Sequence, residues 1–332
     1  MHETCSRASS GYRARDPVNG TNAKRFAYTK VGNTLSVRPS SSTSIERKQP
    51  RAGPLDELLS NPAVQVGIVP ILAAFTVALV VALLLHPLRL GGLAVVAAFL
   101  TTMYFVSGLA LSPLTATRKI IILSIAAPVF GILMDFALKP TRMGGAVLAL
   151  CAAAGAFWVF WPVLAQKPTA EAWLLGASAV VAIAFMVGYV QLYLAGDAVR
   201  AGAAGLGLGL GTGIAAILSA SASYGLYGIA LGAGAGAFLL PQMITGRKRS
   251  AGATFTLTVT LTAGLVAAGA MILAKLPWYS LLVLALVPVG PRLPVPETAP
   301  VWLQAVLLSL YGFVIGGAAC TLAWRFPDGI PG

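Results

Sequence analysis

Few side chains in the long apolar part of the chain are of a type that can do chemistry. Asp135 stands near the end of one apolar segment and precedes Lys139 by four residues. That spacing allows a salt bridge along one face of a helix, which is one interpretation of the pair. The other interpretation is functional, because an ionisable group inside a membrane segment commonly marks a path for a solute or an ion.

Hydroxyl and amide groups gather in two further places. Tyr189 and Gln191 lie near the end of one apolar segment, and threonines alternate with other residues from Thr254 to Thr262. In a helix these threonines form two stripes, whose hydroxyls can bond to carbonyls of the preceding turn or bridge to a neighbouring helix. We therefore predict a polar lining for a solute site, formed by Asp135, Tyr189, Gln191, Thr254, Thr258 and Thr262. A transporter would bring these residues to one water-filled cavity, whereas a scaffold would leave them dispersed at helix ends around a filled interior.

Catalysis and metal binding are not indicated by the sequence. It contains no HExxH, no G-x-S-x-G and no paired-carboxylate motif. Cys5, Cys151 and Cys320 lie far apart and form no CxxC pair, so neither a disulfide framework nor a zinc site is indicated. We predict no catalytic residue, no metal site and no cofactor.

Glycine is the residue with the most regular spacing. Residues four apart share one face of a helix, so a glycine series lets a neighbouring backbone approach closely. An alternative is that a glycine-rich region unwinds and exposes its carbonyls to a solute, as the discontinuous helices of transporters do. We predict that helix packing is the role of the glycines at four-residue spacing, which are Gly205, Gly209, Gly213, Gly228, Gly232, Gly236, Gly312 and Gly316.

The elements that carry these residues are predicted to be membrane-spanning helices. Of the 332 residues, 57% are apolar and 10% are charged, and the charges thin out sharply after the first sixty residues. A charged side chain in hydrocarbon costs roughly a few kcal/mol or more, so a bilayer explains this depletion and a water-exposed fold does not. We predict an all-α, polytopic transmembrane helix bundle of about eight to ten spans over residues 61–326.

Two parts of this bundle are open to more than one interpretation. Segment 278–290 is short for a crossing and is followed by several prolines, so it reads as a half-helix or a re-entrant piece. Segments 202–220 and 222–244 are separated by a short Ser- and Ala-rich stretch, which predicts either a tight hairpin or the middle of one irregular crossing. The number of crossings depends on this choice.

The two ends of the chain are predicted to lie outside the bundle. Residues 1–60 are rich in Ser, Arg, Gly, Asn and Pro without apolar periodicity, which predicts a disordered basic tail, and residues 327–332 are a short C-terminal tail. The net charge of +13 comes from the N-terminal tail and from short loops, with no continuous basic stripe. This distribution indicates anionic lipid headgroups as partners and no nucleic acid.

We expect an integral protein of the bacterial cytoplasmic (inner) membrane whose N-terminal tail is cytoplasmic. Moving a long basic tail across a membrane without a signal is costly, which favours this orientation. The loops conflict with it, because the larger set of their basic residues falls on the opposite side if all ten apolar segments cross.

Transport or permeation of a small solute is the function that these features favour. The alternative is a non-catalytic membrane scaffold or assembly subunit. Such a subunit would pack against other membrane subunits, or against a second copy of this chain, through its small-residue GxxxG helix faces. The motifs identify no solute class.

Overall fold

The computed structural model describes residues 62–84, 90–108, 112–137, 142–246, 249–296 and 298–326. Every element within these ranges is a helix, and no strand occurs in them. The predicted all-α fold is therefore confirmed. The predictions for residues 1–60 and 327–332 concern parts of the chain outside the described residues.

Ten α-helices and one 3₁₀ helix follow one another in the described part of the chain. In chain order the α-helices are α1 (Pro62–Leu84), α2 (Gly92–Ser107), α3 (Ala116–Ala137), α4 (Arg142–Leu164), α5 (Thr169–Tyr193), α6 (Ala198–Leu218), α7 (Ala222–Thr245), α8 (Gly252–Ala274), α9 (Trp278–Ala285) and α10 (Val301–Arg325). The 3₁₀ helix Val287–Arg292 lies between α9 and α10.

Seven of these helices, α3 to α8 and α10, are long and apolar enough to cross a membrane. Three shorter apolar segments accompany them, which are Gly67–Val81, Gly92–Ser107 and Trp278–Arg292. Large apolar side chains also cover the outside of the bundle: Trp173 and Trp324 are 74% and 72% exposed. Lipid is the solvent that suits such a surface. The protein is an integral, multi-pass membrane protein.

Helices α6 and α7 form an antiparallel hairpin around the turn at 219–221. Gly209 lies against Gly232, and one helical turn later Gly213 lies against Gly228, so the two helices run in opposite directions. Each of them is long enough to span a membrane by itself. The hairpin interpretation describes this region, and the single irregular crossing does not.

Helix α10 packs on another face of α6 and runs in the same direction. Gly207 lies against Gly312, and Gly211 lies against Gly316. The two pairs keep the same offset along both helices, which requires a parallel arrangement. Helix α6 is therefore enclosed by two helices of its own chain.

Helix α8 occupies the centre of the bundle. Of the apolar part of α8 that could span a membrane, 89% is buried, and the helix contacts α2 to α7 as well as α9. Every residue from Gly252 to Ile272 is buried. A helix surrounded on all sides must satisfy any polar side chain internally, and the alternating threonines of α8 face that requirement.

The bundle has two ends, which we name after one residue at each. At the Asp135 end, α3, α5 and α7 finish and α6 and α8 begin; there the backbone N–H of Ala198 donates to the carbonyl of Arg249. At the Arg118 end, α2 finishes and α3 and α7 begin. Short connections between antiparallel neighbours produce this alternation.

The segment that contains α9 crosses between the two ends in a stretched form. It starts after α8 at the Arg118 end, and it finishes at the Asp135 end, where Arg200 donates to the carbonyl of Pro291 at 2.7 Å. A 3₁₀ helix rises about 2.0 Å per residue against about 1.5 Å for an α-helix, so the segment reaches roughly 24 Å. It traverses the bundle instead of re-entering from one side.

Candidate functional site

Asp135 caps the start of α8 from a neighbouring helix. Its carboxylate accepts hydrogen bonds from the backbone N–H groups of Ala253 and Thr254 at 2.7 and 2.9 Å, and from the Thr254 hydroxyl at 2.8 Å. The first turn of a helix has unsatisfied N–H groups and a partial positive charge, so a carboxylate is well placed there. Gly131, one turn earlier on α3, lies directly against the Thr254 backbone and permits this close approach.

A second bond joins α5 to the same part of α8. The hydroxyl of Thr256 donates to Oε1 of Gln191 at 2.6 Å, with the carbonyl of Gly252 at 2.9 Å as an alternative acceptor. Further along α8, Thr258 and Thr260 each donate to the carbonyl four residues before them. Buried threonines in helices are commonly satisfied in this way.

Tyr189 belongs to an aromatic row at the Asp135 end. Its ring lies 5.5 Å from that of Phe185 and 4.9 Å from that of Tyr193, measured between ring centroids. The guanidinium of Arg292 lies 4.0 Å from the centre of the Tyr193 ring, which is cation–π geometry. Tyrosine and arginine side chains in this combination are typical of a membrane–water interface.

The structure brings part of the predicted polar lining together and separates the rest. Asp135, Gln191 and Thr254 surround the start of α8, but they bond to protein groups and line neither of the two cavities described below. Thr258 bonds within its own helix. Thr262 is 1% exposed, and its hydroxyl has no partner among the described residues. A solute-binding role for this set stays a prediction.

The glycines at four-residue spacing lie at close contacts within the chain. A Cβ built on Gly209 would lie 2.6 Å from the Cα of Gly232, and one built on Gly207 would lie 3.0 Å from the Cα of Gly312. Backbone atoms cannot yield as a flexible side chain does, so any larger residue would force the helices apart. Gly236 has more room, since its added Cβ would make an ordinary contact at 3.5 Å. Helices α6 and α7 are continuous through these positions and not unwound.

A cavity of about 400 Å³ lies at the Arg118 end, between the end of α2 and the starts of α3 and α7. Concave surfaces with several convergent polar groups are the usual form of a small-molecule site. Its lining combines seven hydroxyl side chains with a single charged one and consists of Ser107, Gly108, Thr115, Thr117, Arg118, Ile121, Ser221, Ser223, Tyr224 and Tyr227.

Two hydroxyl pairs form the inner wall of this cavity. The phenol of Tyr227 donates to Oγ of Ser107 at 3.1 Å, and the phenol oxygen of Tyr224 lies 3.4 Å from Oγ1 of Thr117. Tyr224 and Tyr227 are only 7% and 2% exposed, and their rings meet edge to face. A buried phenol normally needs a hydrogen-bond partner, so these pairs hold the two rings in place.

Arg118 supplies the charge of the cavity. It is half-buried in the first turn of α3, and one guanidinium nitrogen donates to the carbonyl of Pro113. Within the described ranges no carboxylate lines the cavity, and the ion pairs found there do not include Arg118. Arginine has five N–H donors, so most of them stay available after the bond to Pro113.

Sequence reasoning does not identify this group, because each member has an ordinary local reason to be present. Serine and threonine are common at helix starts, and an arginine near the end of a span is typical of the interface. The available signal is that hydroxyls cluster at two helix starts, around Thr117 and around Ser223, which share one end of the bundle. That signal appears only after the alternation of the helices is known.

A second cavity, of about 580 Å³, lies between α4 and α5 and is apolar. Phe157, Trp161 and Trp173 contribute to its lining, and Lys167 lies there beside Glu171, with which it forms an ion pair. All three aromatic side chains are exposed on the outside of the bundle. Such a groove faces lipid, and most of its lining offers no hydrogen-bond partner to a polar solute.

The chain matches no protein-family model and no curated protein. Its class follows from its own helices, which make it a multi-pass membrane protein. Its functional interpretation depends on the polar groups described above, and most of all on the cavity at the Arg118 end.

Proposed function

We propose that the protein moves a small polar solute across the membrane and that the solute binds in the cavity at the Arg118 end. The observation that carries this proposal is a recess of about 400 Å³ lined by seven hydroxyl groups and one guanidinium at the end of an apolar bundle. Concave surfaces with several convergent polar groups are the usual form of a small-molecule site, and a bundle that only spanned the membrane would not need one.

The inner wall of the cavity lies against the central helix α8 and against α2. The ring of Tyr224 lies against Gly269 of α8, and the ring of Tyr227 meets Phe99 of α2 edge to face, with 5.9 Å between centroids. A change of rotamer at either tyrosine would alter the space beside the central helix. The two tyrosines are therefore suited to separate the cavity from the interior until a solute binds.

Buried polar groups also occur elsewhere in the bundle. Thr212 on α6, Thr262 on α8 and Ser280 on α9 are buried, and their hydroxyls have no partner within the described ranges. Leaving a buried hydroxyl unsatisfied costs about 1 to 3 kcal/mol, so such groups need a physical explanation. A polar solute that passes between the helices would bond to these hydroxyls.

The assembly alternative requires small-residue faces that are open to a partner subunit. In this chain Gly209 packs against α7, and Gly312 and Gly316 pack against α6. A glycine face that already contacts a helix of its own chain cannot hold another subunit as well. This use of the glycines supports transport over assembly through the same faces.

A flux measurement tests the proposal. The purified full-length protein is reconstituted into liposomes, and light scattering follows the volume recovery that accompanies solute movement. The panel contains polyols, amino acids, carboxylates and monovalent cations. We expect at least one class of solute to cross faster than in liposomes without protein. If every solute crosses at the same rate in liposomes with and without the protein, transport is contradicted.

Two neighbouring substitutions provide the matched control. Ser223 lines the cavity and Ala222 does not, although both side chains are exposed at the start of α7. Ser223→Trp fills the cavity and should slow the flux about tenfold or more, since overpacking a solute's space costs roughly 1 to 3 kcal/mol. Ala222→Trp should leave the flux near that of the parent protein. Equal rates in the two variants would show that solute does not use this cavity.

A further inference from the structure

We infer that the ligand of the cavity at the Arg118 end is a small organic anion whose carboxylate or phosphate group binds Arg118. This inference rests on the proposed function, because it takes the same cavity as the site of the solute, and it adds the chemical class of that solute. Its basis is the charge, the hydrogen-bond donors and the size of the cavity.

The charge of the lining has one sign. Among the described residues that line it, Arg118 is the single charged one, and none of them is Asp or Glu. The guanidinium donates to the carbonyl of Pro113, which fixes its orientation but leaves its positive charge without a counter-charge. A cation would be repelled here, and a neutral solute would not pair with the charge. An anion satisfies the group, and a carboxylate or phosphate matches its forked geometry.

The hydroxyls leave donors for such a ligand. Tyr227 uses its hydrogen in the bond to Ser107. Thr117 and Tyr224 share a single contact, so within the described structure the hydrogen of one of them has no acceptor. The hydroxyl of Ser221 makes no capping bond to α7 and is free to turn toward the cavity. Together with the remaining N–H groups of Arg118, these donors suit an acceptor-rich ligand.

The size of the cavity points to an organic anion. Its volume of about 400 Å³ falls in the range of small-molecule sites, which is roughly 300 to 1,000 Å³. A bare inorganic anion would leave most of that space to water. Ile121 and the two tyrosine rings provide an apolar surface against which a short carbon skeleton can lie.

Binding to the purified full-length protein tests this inference without a flux measurement. Isothermal titration calorimetry in detergent compares succinate with its neutral analogue succinamide, and glycerol phosphate with glycerol. We expect at least one of the two anions to bind and both neutral probes to fail. Equal affinity for an anion and its neutral analogue, or no binding of either anion at millimolar concentration, would overturn the inference.

Charge substitutions at one end of the bundle identify the contact. Arg118→Gln should lower the affinity for the anion about tenfold or more, and Arg118→Lys should lower it less, because the point charge is kept. Arg325→Gln removes the same charge from an exposed position at the same end and should have no effect. An equal loss in Arg118→Gln and Arg325→Gln would overturn a specific site. If Arg118→Gln does not fold, loss of binding in Ser223→Trp provides the same test.

The two proposals can fail separately. Anion binding that depends on Arg118, without flux of any solute, would contradict transport and leave the anion site in place. Flux of a neutral solute that is blocked by Ser223→Trp, without anion binding, would contradict the anion site and leave transport in place.

Discussion

At the scale of single residues, Asp135 acts on α8 as a capping residue usually acts on its own helix. An ordinary N-cap is next to its helix in sequence, whereas Asp135 and Thr254 are separated by 119 positions. The cap therefore fixes α3 to the first turn of the central helix and contributes to tertiary as well as helical stability. Lys139, the partner that local spacing indicates, lies outside the described residues.

Substitution of Asp135 should destabilise the bundle. Asp135→Asn keeps one acceptor oxygen and should cost about 1 kcal/mol, while Asp135→Ala should cost about 2 kcal/mol, as for loss of a helix cap. The unfolding transition of the purified protein in detergent measures both. Glu171→Gln is the control, because the exposed pair with Lys167 should contribute less than about 0.5 kcal/mol. A loss at Asp135 no larger than at Glu171 would contradict the cap.

Two threonines on α8 should respond differently to the same substitution. The hydroxyl of Thr258 donates to the carbonyl of Thr254 at 2.6 Å, whereas that of Thr262 has no partner in the described structure. Thr258→Val should cost about 0.5 to 1 kcal/mol, and Thr262→Val should be neutral or stabilising by up to about 1 kcal/mol. Both are measured by unfolding in detergent. A larger loss at Thr262 would mean that its hydroxyl bonds to an interior water.

The sequence is informative about which residues are unusual and uninformative about which of them meet. Asp135 and the threonines are visible because they interrupt apolar segments. The bond between Thr256 and Gln191 and the cavity around Arg118 are not visible, because both depend on which helices are neighbours. Local spacing along one helix does not contain that information.

At the scale of elements, the glycines of α6 serve two different neighbours. Gly209 and Gly213 face α7, while Gly207 and Gly211 face α10, so the two pairs alternate along the sequence. The two alternating series correspond to two faces of one helix, and each face carries glycine at the positions of contact. This explains why α6 is richer in glycine than a helix that packs on one side only.

A pair of glycine substitutions should distinguish a glycine that is needed for a close helix contact from one that has no such contact. Gly209→Ala sets a Cβ against the backbone of α7 and should cost about 1 to 3 kcal/mol. Gly317→Ala, on α10, meets no atom within 4 Å and should be neutral or slightly stabilising through helix propensity. Thermal unfolding in detergent, followed by size-exclusion chromatography, measures the difference. Similar midpoints for the two variants would contradict a tight contact at Gly209.

The α9 segment illustrates why element boundaries are harder to predict than element type. A length criterion of about 20 residues assumes the rise of an α-helix. Here Pro288 and Pro291 lie within a 3₁₀ helix, and the greater rise of that helix lets a short segment reach the other end. The prolines in the sequence indicate an interruption but not its geometry.

At the scale of the whole molecule, composition is sufficient to predict a membrane bundle but not its interior. In water, the apolar face of a helix marks the core; in lipid, the outer faces are apolar as well. Helices α4 and α8 have nearly the same mean hydropathy. The apolar part that could span a membrane is nevertheless 33% buried in α4 and 89% buried in α8. The central position of α8 therefore could not be predicted from periodicity.

The alternation of the helices predicts which loops share a side of the membrane. Ser223 and Lys275 lie at the Arg118 end, and Gly196 and Arg292 lie at the Asp135 end; all four are exposed. In a variant without its native cysteines, single cysteines at these positions should react with an impermeant maleimide on intact cells as two pairs, one labelled and one protected. Labelling of Gly196→Cys and Arg292→Cys would place the Asp135 end outside the cell, and permeabilised cells should show label at all four positions. Labelling of the other pair would reverse the orientation, in agreement with the loop charges.

Labelling of a mixed pair, such as Ser223→Cys with Gly196→Cys, would contradict the crossing pattern itself. The starts of α3 and α7 would then not lie at the same end of the bundle, and they could not line one cavity.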